Sequence, residues 1–316
     1  MTENIPFISA AAIDRALDYP ALVAALQQAF AGDWTVPVRH HHAIPMPNGE
    51  PEQTLLLMPA WDAGRSVGVK MVTITPGNGS RGLPAVQGIY LLLDGLTGAP
   101  LALMEGKQLT VRRTAAASAL AAKYCARPDA SLHLMVGTGA LSQPLIEAHR
   151  AVHPIRQTRI WGRDAAKTAA YARELAGRGL DVEAVADLEA AVRLADIVSC
   201  ATLSTAPLVK GAWLKPGAHL DLVGAYLPEM RESDDEAVRR ATLFVDTRGG
   251  ALKEGGDIVQ PLKAGVIRES DIAADLFDLC RGRHPGRRSA GEITLFKSVG
   301  TAIEDLAAAQ LMLQRM

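Results

Sequence analysis

The sequence contains few cysteines and almost no net charge. Its three cysteines, Cys125, Cys200 and Cys280, lie far apart and form no Cys-x-x-Cys pair. This spacing excludes a disulfide scaffold and favours a reduced protein with buried thiols. A formal net charge of −1 provides no basic surface for nucleic acid. We therefore expect no nucleic-acid partner.

Long apolar runs are also absent. No run reaches the roughly 20 residues that a membrane span requires. The first residues lack the basic and apolar regions of a signal peptide. We therefore expect a cytoplasmic protein of enzyme size with no membrane partner.

A glycine-rich turn lies near the middle of the chain. The apolar run Leu132–Val136 is followed by Gly137-Thr-Gly139, by an amphipathic segment and by a second apolar run at Ile160-Trp161. Strand, glycine turn, helix and strand is the order of a dinucleotide-binding unit, although the sixth motif position is Ser142 rather than Gly or Ala. The sequence predicts that a dinucleotide binds to the residues Gly137, Thr138, Gly139, Ala140 and Leu141.

The end of the second strand indicates which nucleotide binds. An acidic residue at this place usually accepts hydrogen bonds from the ribose of NAD. Here the strand is followed by Gly162-Arg163-Asp164. A small residue followed by a guanidinium suits the 2′-phosphate of NADP, because Arg forms forked, charge-assisted hydrogen bonds to phosphate oxygens. We therefore favour NADP(H) over NAD(H) and place Gly162, Arg163 and Asp164 at the cofactor, with helix capping as the alternative role of Asp164.

The chain divides into two kinds of pattern. Residues 35–102 contain apolar runs between Gly and Pro breaks, which predict strands at residues 36–39, 54–58, 67–74 and 86–93. After residue 131, strands alternate with helices, which is typical of a doubly wound parallel sheet. We predict an α/β protein in which residues 127–289 form a Rossmann-type NAD(P)-binding domain. Residues 1–126 and 290–316 would form a β-rich substrate and dimerisation domain.

Two loops of the predicted parallel sheet are candidates for further cofactor contacts. Thr202 and Ser204 follow one apolar run, and Val223 ends the next. In open α/β sheets the ligand lies outside the carboxyl ends of the strands. We therefore predict that Thr202, Ser204 and Val223 face the cofactor, with ordinary turns as the alternative.

Cations stand out in the β-rich segment. Lys70 lies in an apolar strand, where an unpaired ammonium is costly, so it must snorkel, pair with an acid or meet an anionic ligand. Arg113 lies near the start of an alanine-rich helix, where the helix dipole favours an anion. Together with Arg39, these cations suit a small carboxylate, with structural ion pairs as the alternative.

The run His40-His41-His42 does not predict a metal site. Neighbouring strand residues alternate faces, so three consecutive histidines do not easily share one ion. No Asp, Glu or Cys lies nearby with ligand spacing. We predict no metal.

Several motifs together resemble the ornithine cyclodeaminase/mu-crystallin family, in the family's order and over nearly the full chain. The segments that carry the resemblance are Gly68-Val-Lys70-Met-Val-Thr, Pro76-Gly-Asn78, Leu109-Thr-Val-Arg-Arg113-Thr-Ala-Ala-Ala-Ser, Val136-Gly-Thr-Gly139-Ala, Ile160-Trp-Gly-Arg163, Thr202-Leu-Ser-Thr-Ala-Pro207, Lys215-Pro-Gly-Ala-His219, Val223-Gly-Ala and Phe296-Lys-Ser-Val-Gly300. The resemblance implies a homodimer with a nucleotide domain and a β-rich domain completed by the C-terminal helix. It also implies that Arg39, Lys70 and Arg113 hold a substrate carboxylate and that Gln87 lines the same pocket.

The family contains cyclodeaminases, alanine dehydrogenases and reductases of cyclic ketimines. By the resemblance, cyclodeaminases carry an Asp at the position of Tyr226, and an acid at the end of the second nucleotide strand, where this chain has Gly162-Arg163. Both departures resemble the mu-crystallin and ketimine-reductase branch.

The leading hypothesis is hydride transfer from NADPH to the C=N carbon of a cyclic imino acid such as Δ1-pyrroline-2-carboxylate or Δ1-piperideine-2-carboxylate. The imine nitrogen must be protonated, and Lys70, Tyr226 or a bound water are the candidates for that role. One alternative is an ornithine cyclodeaminase, which forms L-proline and ammonia from L-ornithine, or an alanine dehydrogenase of the same family. The other is an NADPH-binding protein without turnover.

Overall fold

The computed structural model describes residues 4–316, which divide into two compact units. The first unit contains the chain up to Arg113 and returns at Thr301–Met316, and the second unit is Thr114–Gly300. Within the described residues, no helix is both long enough and apolar enough to cross a membrane.

The elements are numbered in chain order. The first are β1 (Phe7–Ile8), α1 (Ala10–Ala16), α2 (Tyr19–Ala31), β2 (His40–Ile44), β3 (Gln53–Asp62), β4 (Ser66–Ile74), β5 (Val86–Asp94), β6 (Pro100–Glu105) and α3 (Gly106–Cys125). The next are β7 (Leu132–Val136), α4 (Ser142–Val152), β8 (Gln157–Trp161), α5 (Ala165–Gly177), β9 (Val182–Ala184), α6 (Leu188–Leu194), β10 (Ile197–Cys200) and β11 (His219–Leu222). The last are α7 (Asp235–Arg240), β12 (Thr242–Val245), α8 (Arg248–Ala251), α9 (Gly256–Lys263), β13 (Ile272–Asp275), α10 (Leu276–Cys280), β14 (Thr294–Lys297) and α11 (Ala302–Gln314).

The first unit is built on a six-stranded sheet with the order β1-β6-β5-β4-β3-β2. β1 pairs parallel to β6, and the other neighbours are antiparallel. Because strand residues alternate faces, Ser66, Gly68 and Lys70 of β4 share one face, and α11 packs on that face through Leu306 and Gln310. The alternate residues of the strands form the outer face.

The predicted strand at residues 36–39 is wrong, and the strand lies instead at His40–Ile44. Pro37 has no N–H to donate to a ladder, and next to it only an isolated bridge forms between Thr35 and Trp61. The strands predicted at residues 54–58, 67–74 and 86–93 are confirmed within β3, β4 and β5.

The second unit is built on an eight-stranded sheet with the order β13-β12-β14-β11-β10-β7-β8-β9. All neighbouring strands are parallel, which confirms the doubly wound fold. The chain runs outward from β7 through β8 to β9 on one side, and from β10 to β11 on the other. The strand order therefore reverses between β7 and β10, and such a switch point leaves a crevice at the carboxyl ends of the strands.

The residues at which the two units begin and end differ from the predicted domain boundaries. Residues 290–300 were expected in the β-rich domain, but β14 lies inside the parallel sheet, hydrogen-bonded between β11 and β12. The second unit also begins earlier than residue 127, at Thr114 within α3. A strand of only four residues does not specify its partners in sequence, because packing against neighbouring strands decides the pairing.

Candidate active site

The glycine turn after β7 has a backbone conformation that favours glycine. Gly137 has a φ of +116°, and a Cβ at this position would lie 2.8 Å from the carbonyl oxygen of Ala201 and 3.2 Å from Thr202 Cγ2. The turn therefore lies directly against the loop that follows β10, at the switch point of the sheet.

The same turn presents backbone N–H groups at the start of α4. Within residues 4–316, no protein acceptor binds the amides of residues 138–141, and residues 138–140 are exposed. Ser142 is buried, and its hydroxyl donates a hydrogen bond to the carbonyl oxygen of Gly137 at 2.9 Å, which fastens the helix to the turn. Exposed amides at a helix N-terminus fit the pyrophosphate of a dinucleotide.

The end of β8 lies against the glycine turn. A Cβ at Gly162 would lie 3.1 Å from Thr138 Cγ2. Asp164 accepts a hydrogen bond from the backbone N–H of Lys167 at 3.0 Å, so its alternative interpretation as the N-cap of α5 is confirmed. Arg163 is exposed. Arg163 is therefore the charged residue of this segment that is not used to cap the helix.

A buried glutamate joins the loops that follow β10 and β11. Glu232 Oε1 accepts hydrogen bonds from the backbone N–H of Thr202 at 2.6 Å and from its hydroxyl at 2.8 Å. Oε2 accepts from the backbone N–H groups of Gly224 at 2.8 Å and Ala225 at 3.2 Å. Thr202 was predicted from the sequence, whereas Glu232 was not, because it lies in an irregular segment without a periodic signal.

The remaining residues predicted near the cofactor have varied surroundings. Ser204 donates a hydrogen bond from its hydroxyl to the carbonyl oxygen of Ala206 at 2.6 Å, which closes its own turn. Val223 is buried at the end of β11. Tyr226 follows the Gly224–Ala225 turn with 39% of its surface exposed. The roles of Ser204, Val223 and Tyr226 stay predictions.

In the first unit, Lys70 is buried on the face of the sheet that α11 covers. Its Nζ forms an ion pair with Asp305 Oδ2 at 2.8 Å and donates to Thr110 Oγ1 at 3.3 Å. Burial lowers the pKa of Lys70 to about 8, and the charge of Arg113 adds to this effect, while Asp305 opposes it. Three situations were predicted for Lys70, and the structure shows one of them, an ion pair with an acid.

Arg113 binds two carboxylates of α11. Its Nε donates to Asp305 Oδ1 at 2.9 Å and its Nη1 to Glu304 Oε2 at 2.5 Å, and all three side chains are buried. Burial by itself disfavours the charged guanidinium, but Asp305 and Glu304 outweigh it and raise the pKa of Arg113. Asp305 therefore bridges Lys70 and Arg113.

Arg39 is the third predicted cation. It lies just before β2, it is partly buried, and its charge contributes to the lowered pKa of Lys70. Gln87 is exposed on β5. Glu304 and Asp305 were missed by the sequence analysis, although adjacent acids in an otherwise apolar helix are a signal, since fully buried acids need cationic partners.

A further polar cluster is buried in the second unit. Asp221 Oδ2 accepts a hydrogen bond from the Ser199 hydroxyl at 2.9 Å and lies 3.2 Å from His149 Nε2. Ser118 donates to Asp221 Oδ1 at 2.9 Å, and His133 Nε2 lies 3.1 Å from the Ser199 oxygen. All five side chains have no exposed surface. Because Ser199 is fully buried, no substrate reaches its hydroxyl, and it does not act as a nucleophile. The hydrogen bonds of the cluster instead satisfy buried polar groups.

No metal centre is evident in the part of the chain that the structure describes. Within residues 4–316, no three His, Cys, Asp or Glu side chains are grouped as ligands. The histidines of residues 40–42 lie on β2, which is exposed along its length.

Comparison with known proteins relates both units to enzymes of one family. The sequence model of the ornithine cyclodeaminase/mu-crystallin family matches residues 9–316. A Δ1-pyrroline-2-carboxylate reductase of Paracoccus denitrificans is 39% identical over 286 residues, which cover 88% of this chain and 90% of that protein.

Two solved structures are similar over almost the whole chain. One is Thermococcus litoralis Δ1-pyrroline-2-carboxylate reductase in complex with NADH and L-proline, with a TM-score of 0.90, 34% identity, and coverage of 98% of this chain and 97% of that one. The other is an archaeal alanine dehydrogenase dimer with bound NAD, with a TM-score of 0.88, 30% identity, and coverage of 98% and 95%. The motifs, the two folds and the full-length match together show that the chain belongs to the ornithine cyclodeaminase/mu-crystallin family.

Proposed function

We propose that the chain is an NAD(P)H-dependent reductase of cyclic imino acids of the Δ1-pyrroline-2-carboxylate or Δ1-piperideine-2-carboxylate type. The observation that carries the proposal is the buried cluster in which Asp305 bridges Lys70 and Arg113. This cluster combines a guanidinium with an ammonium group of lowered pKa. The relatives from Paracoccus and Thermococcus, both Δ1-pyrroline-2-carboxylate reductases, support the assignment.

The substrate carboxylate is proposed to bind to Arg39, Lys70 and Arg113. A guanidinium offers several N–H donors in a fixed fork that matches a carboxylate. Arg113 uses Nε and Nη1 for Asp305 and Glu304, and within residues 4–316 no acceptor binds its Nη2. Arg113 therefore keeps donor capacity for a ligand while its internal ion pairs hold it in place.

Lys70 is the proposed source of the proton on the imine nitrogen. A reduced pyridine nucleotide supplies hydride when it is bound, and the imine accepts it only in the protonated form. A pKa of about 8 leaves Lys70 mostly protonated at neutral pH and close to the range in which a proton is readily given up. Tyr226 is 39% exposed, whereas Lys70 is buried beside Asp305 and Arg113.

The proposed cofactor is NADP(H), with NAD(H) as the weaker alternative. Arg163 is exposed next to the nucleotide turn, and the neighbouring carboxylate of Asp164 is used as a helix cap. The bound NADH and NAD of the two structural relatives support a pyridine nucleotide in general. The preference for the 2′-phosphate depends on Arg163.

Arg163→Ala tests this preference. We expect the Kd of NADPH to rise by about 10- to 100-fold, because a charge-assisted contact to the 2′-phosphate is worth roughly 1.5–3 kcal/mol. The Kd of NADH should stay unchanged, which makes NADH the internal control. Titration of the quenching or enhancement of nucleotide fluorescence gives both values, and equal effects on the two nucleotides would contradict the assignment.

We further propose a homodimer formed through the outer face of the six-stranded sheet. Neighbouring positions on this face carry the partly exposed apolar side chains Leu57, Val69, Met71, Leu91 and Leu103. A contiguous apolar face of this kind marks a protein–protein interface. The dimeric alanine dehydrogenase relative supports this arrangement.

The decisive assay follows NADPH oxidation with Δ1-pyrroline-2-carboxylate and with Δ1-piperideine-2-carboxylate, with NADH measured in parallel. We expect turnover with at least one of the two imino acids and NADPH as the better donor. Nucleotide binding without oxidation by either imino acid would contradict the proposal and favour a binding protein without turnover.

An alanine dehydrogenase is the second candidate, because the archaeal alanine dehydrogenase is 30% identical over nearly the full chain. NADH formation from L-alanine, in the absence of imine reduction, would support it. An ornithine cyclodeaminase would release ammonia from L-ornithine without net NADH formation, and Tyr226 at the position of the expected Asp argues against it.

A further inference from the structure

We propose that Glu232 is a positioning residue that holds the Thr202 loop and the Gly224–Ala225 turn in the conformation that accepts the cofactor. The inference rests on the nucleotide-binding role in the proposed function. It concerns a side chain that is fully buried and is not itself expected to touch the nucleotide.

The two carboxylate oxygens of Glu232 serve different segments. Oε1 accepts hydrogen bonds from the backbone N–H and the hydroxyl of Thr202, and Oε2 accepts hydrogen bonds from the N–H groups of Gly224 and Ala225. A carboxylate has acceptor positions on both oxygens and no donor, so it matches four convergent donors. A neutral amide of the same shape has one acceptor oxygen, which could accept hydrogen bonds from only one of the two segments. Its NH2 group would point at the N–H donors of the other segment and form no hydrogen bond with them.

The two segments are in direct backbone contact. A Cβ at Gly224 would lie 2.1 Å from the carbonyl oxygen of Thr202 and 2.6 Å from Glu232 Oε1, so no side chain fits between them. The loop also touches the nucleotide turn, because a Cβ at Gly137 would lie 2.8 Å from the Ala201 oxygen. Glu232 therefore fixes backbone that borders the turn at the switch point.

A second layer holds Glu232 itself. Asp257 Oδ1 accepts hydrogen bonds from the backbone N–H groups of Glu232 and Ser233, both at 2.9 Å. Lys297 forms an ion pair with Asp257 Oδ2 at 3.3 Å. Asp257 and Lys297 are fully buried on α9 and β14. The position of Glu232 is therefore set by two different elements rather than by its own flexible segment.

The charge of Glu232 is sensitive to pH near neutrality. Burial raises the pKa of Glu232 to about 7, and Asp257 of α9 also raises it, while Lys297 of β14 and the Thr202 donors lower it. Burial and the charge of Glu232 raise the pKa of the Cys200 thiol on β10, so Cys200 stays neutral. A protonated carboxyl cannot accept all four hydrogen bonds, so the two segments loosen as the pH falls below about 7.

Glu232→Gln tests the inference, with Asp196→Asn as the matched control. Asp196 is also buried and accepts two backbone N–H groups, from Ser131 at 2.9 Å and Leu132 at 3.0 Å, but these lie at the amino ends of the strands. The readouts are the Kd of NADPH from fluorescence at several pH values and the thermal unfolding midpoint without nucleotide.

We expect Glu232→Gln to raise the Kd of NADPH about tenfold or more at alkaline pH, the change that one lost charged hydrogen bond of roughly 1.5–3 kcal/mol produces. The rise in Kd that the unmodified protein shows below neutral pH should be smaller in this variant. Asp196→Asn should lower the unfolding midpoint and leave the Kd within twofold, and Glu232→Asp, which keeps the charge, should restore part of the affinity.

Two results would overturn the inference. One is a Kd for Glu232→Gln within twofold of the unmodified protein. The other is an equal loss of affinity in Asp196→Asn, which would mean that general destabilisation is the cause. If the unmodified protein binds neither NADPH nor NADH, the proposed function fails as well; if it binds and Glu232→Gln binds equally, only the role of Glu232 fails.

Discussion

Asp305 gives one oxygen to Lys70 and the other to Arg113, so one buried carboxylate fixes both cations. Removing a single member of such a cluster leaves an uncompensated buried charge, which typically costs about 3–5 kcal/mol of stability. Variants that keep the charge are therefore the informative ones at this site. The same reasoning predicts that alanine at Lys70, Arg113, Glu304 or Asp305 lowers the stability of the first unit.

Lys70→Arg should change the pH dependence of imine reduction. For the unmodified protein, kcat/KM should fall as the pH rises through about 8, because Lys70 loses its proton there. An arginine stays protonated across this range, so the alkaline limb should move upward in the variant, with a lower overall rate. The pH profile of kcat/KM measures this shift. If the alkaline limb lies at the same pH in the variant, the titrating group is on the substrate, which would contradict the role of Lys70.

Arg113→Lys should raise the KM for the imino acid by about 10- to 100-fold, because a lysine does not reproduce the forked contact to a carboxylate. The Kd of NADPH should not change. Arg112→Lys is the matched control, since Arg112 is also buried but donates to the carbonyl oxygen of Leu17 and stacks on Tyr19 at 4.1 Å. An equal effect of both substitutions on KM would remove Arg113 from the substrate site.

At the scale of elements, the two glycines of the glycine turn after β7, Gly137 and Gly139, are required for different reasons. Gly137 has a positive φ and no room for a Cβ. At Gly139 the nearest atom to an added Cβ is the Ala201 oxygen at 4.0 Å, so the protein itself leaves room there. Space at Gly139 is therefore expected to serve the bound pyrophosphate.

Gly137→Ala and Gly139→Ala should separate these two requirements. Gly137→Ala should lower stability by about 1–3 kcal/mol, the usual cost of a strained backbone conformation, and also weaken NADPH binding. Gly139→Ala should leave the thermal unfolding midpoint unchanged and weaken NADPH binding alone. A Gly139→Ala variant with full affinity would contradict a pyrophosphate at this turn.

The elements that sequence predicts well are those with local causes. The strand before Gly137, the helix cap at Asp164 and the strand around Lys70 follow from periodicity and turn chemistry within a few residues. The strand misplaced to residues 36–39 shows the limit, because a single proline, Pro37, outweighs the β-rich composition around it. The partners of β14 were not predictable, since a strand of four residues, Thr294–Lys297, carries no signal for the strands beside which it will lie.

At the scale of the whole molecule, the candidate site depends on contacts between residues far apart in sequence. Arg113 lies 191 residues from Glu304 and 192 from Asp305. Its selection as a ligand-binding cation followed from its place in a family motif and near a predicted helix start; the second reason was wrong, because α3 begins earlier, at Gly106. The acids that hold it carry only a weak sequence signal, because a buried acid and a solvated acid look alike until the fold brings a partner.

Leu91→Glu should convert the proposed dimer into a monomer. Leu91 lies on the outer face of the six-stranded sheet, in register with Val69 and Leu103, and an unpaired carboxylate in an apolar interface is costly. Sedimentation equilibrium measures the molecular mass. Leu96→Glu is the control, since Leu96 is 83% exposed in the turn after β5. A dimer that persists in Leu91→Glu would place the interface elsewhere.

The late position of β14 and α11 in the chain has a consequence for biosynthesis. β14 enters the middle of the parallel sheet, and α11 brings the carboxylates for Lys70 and Arg113. Until these elements have been translated, β11 and β12 lack the strand that lies between them. Lys70 and Arg113 likewise lack the carboxylates that neutralise their charges. Neither unit is complete before these two elements have been synthesised, so a premature stop codon shortly before residue 294 would disrupt both units rather than the second alone.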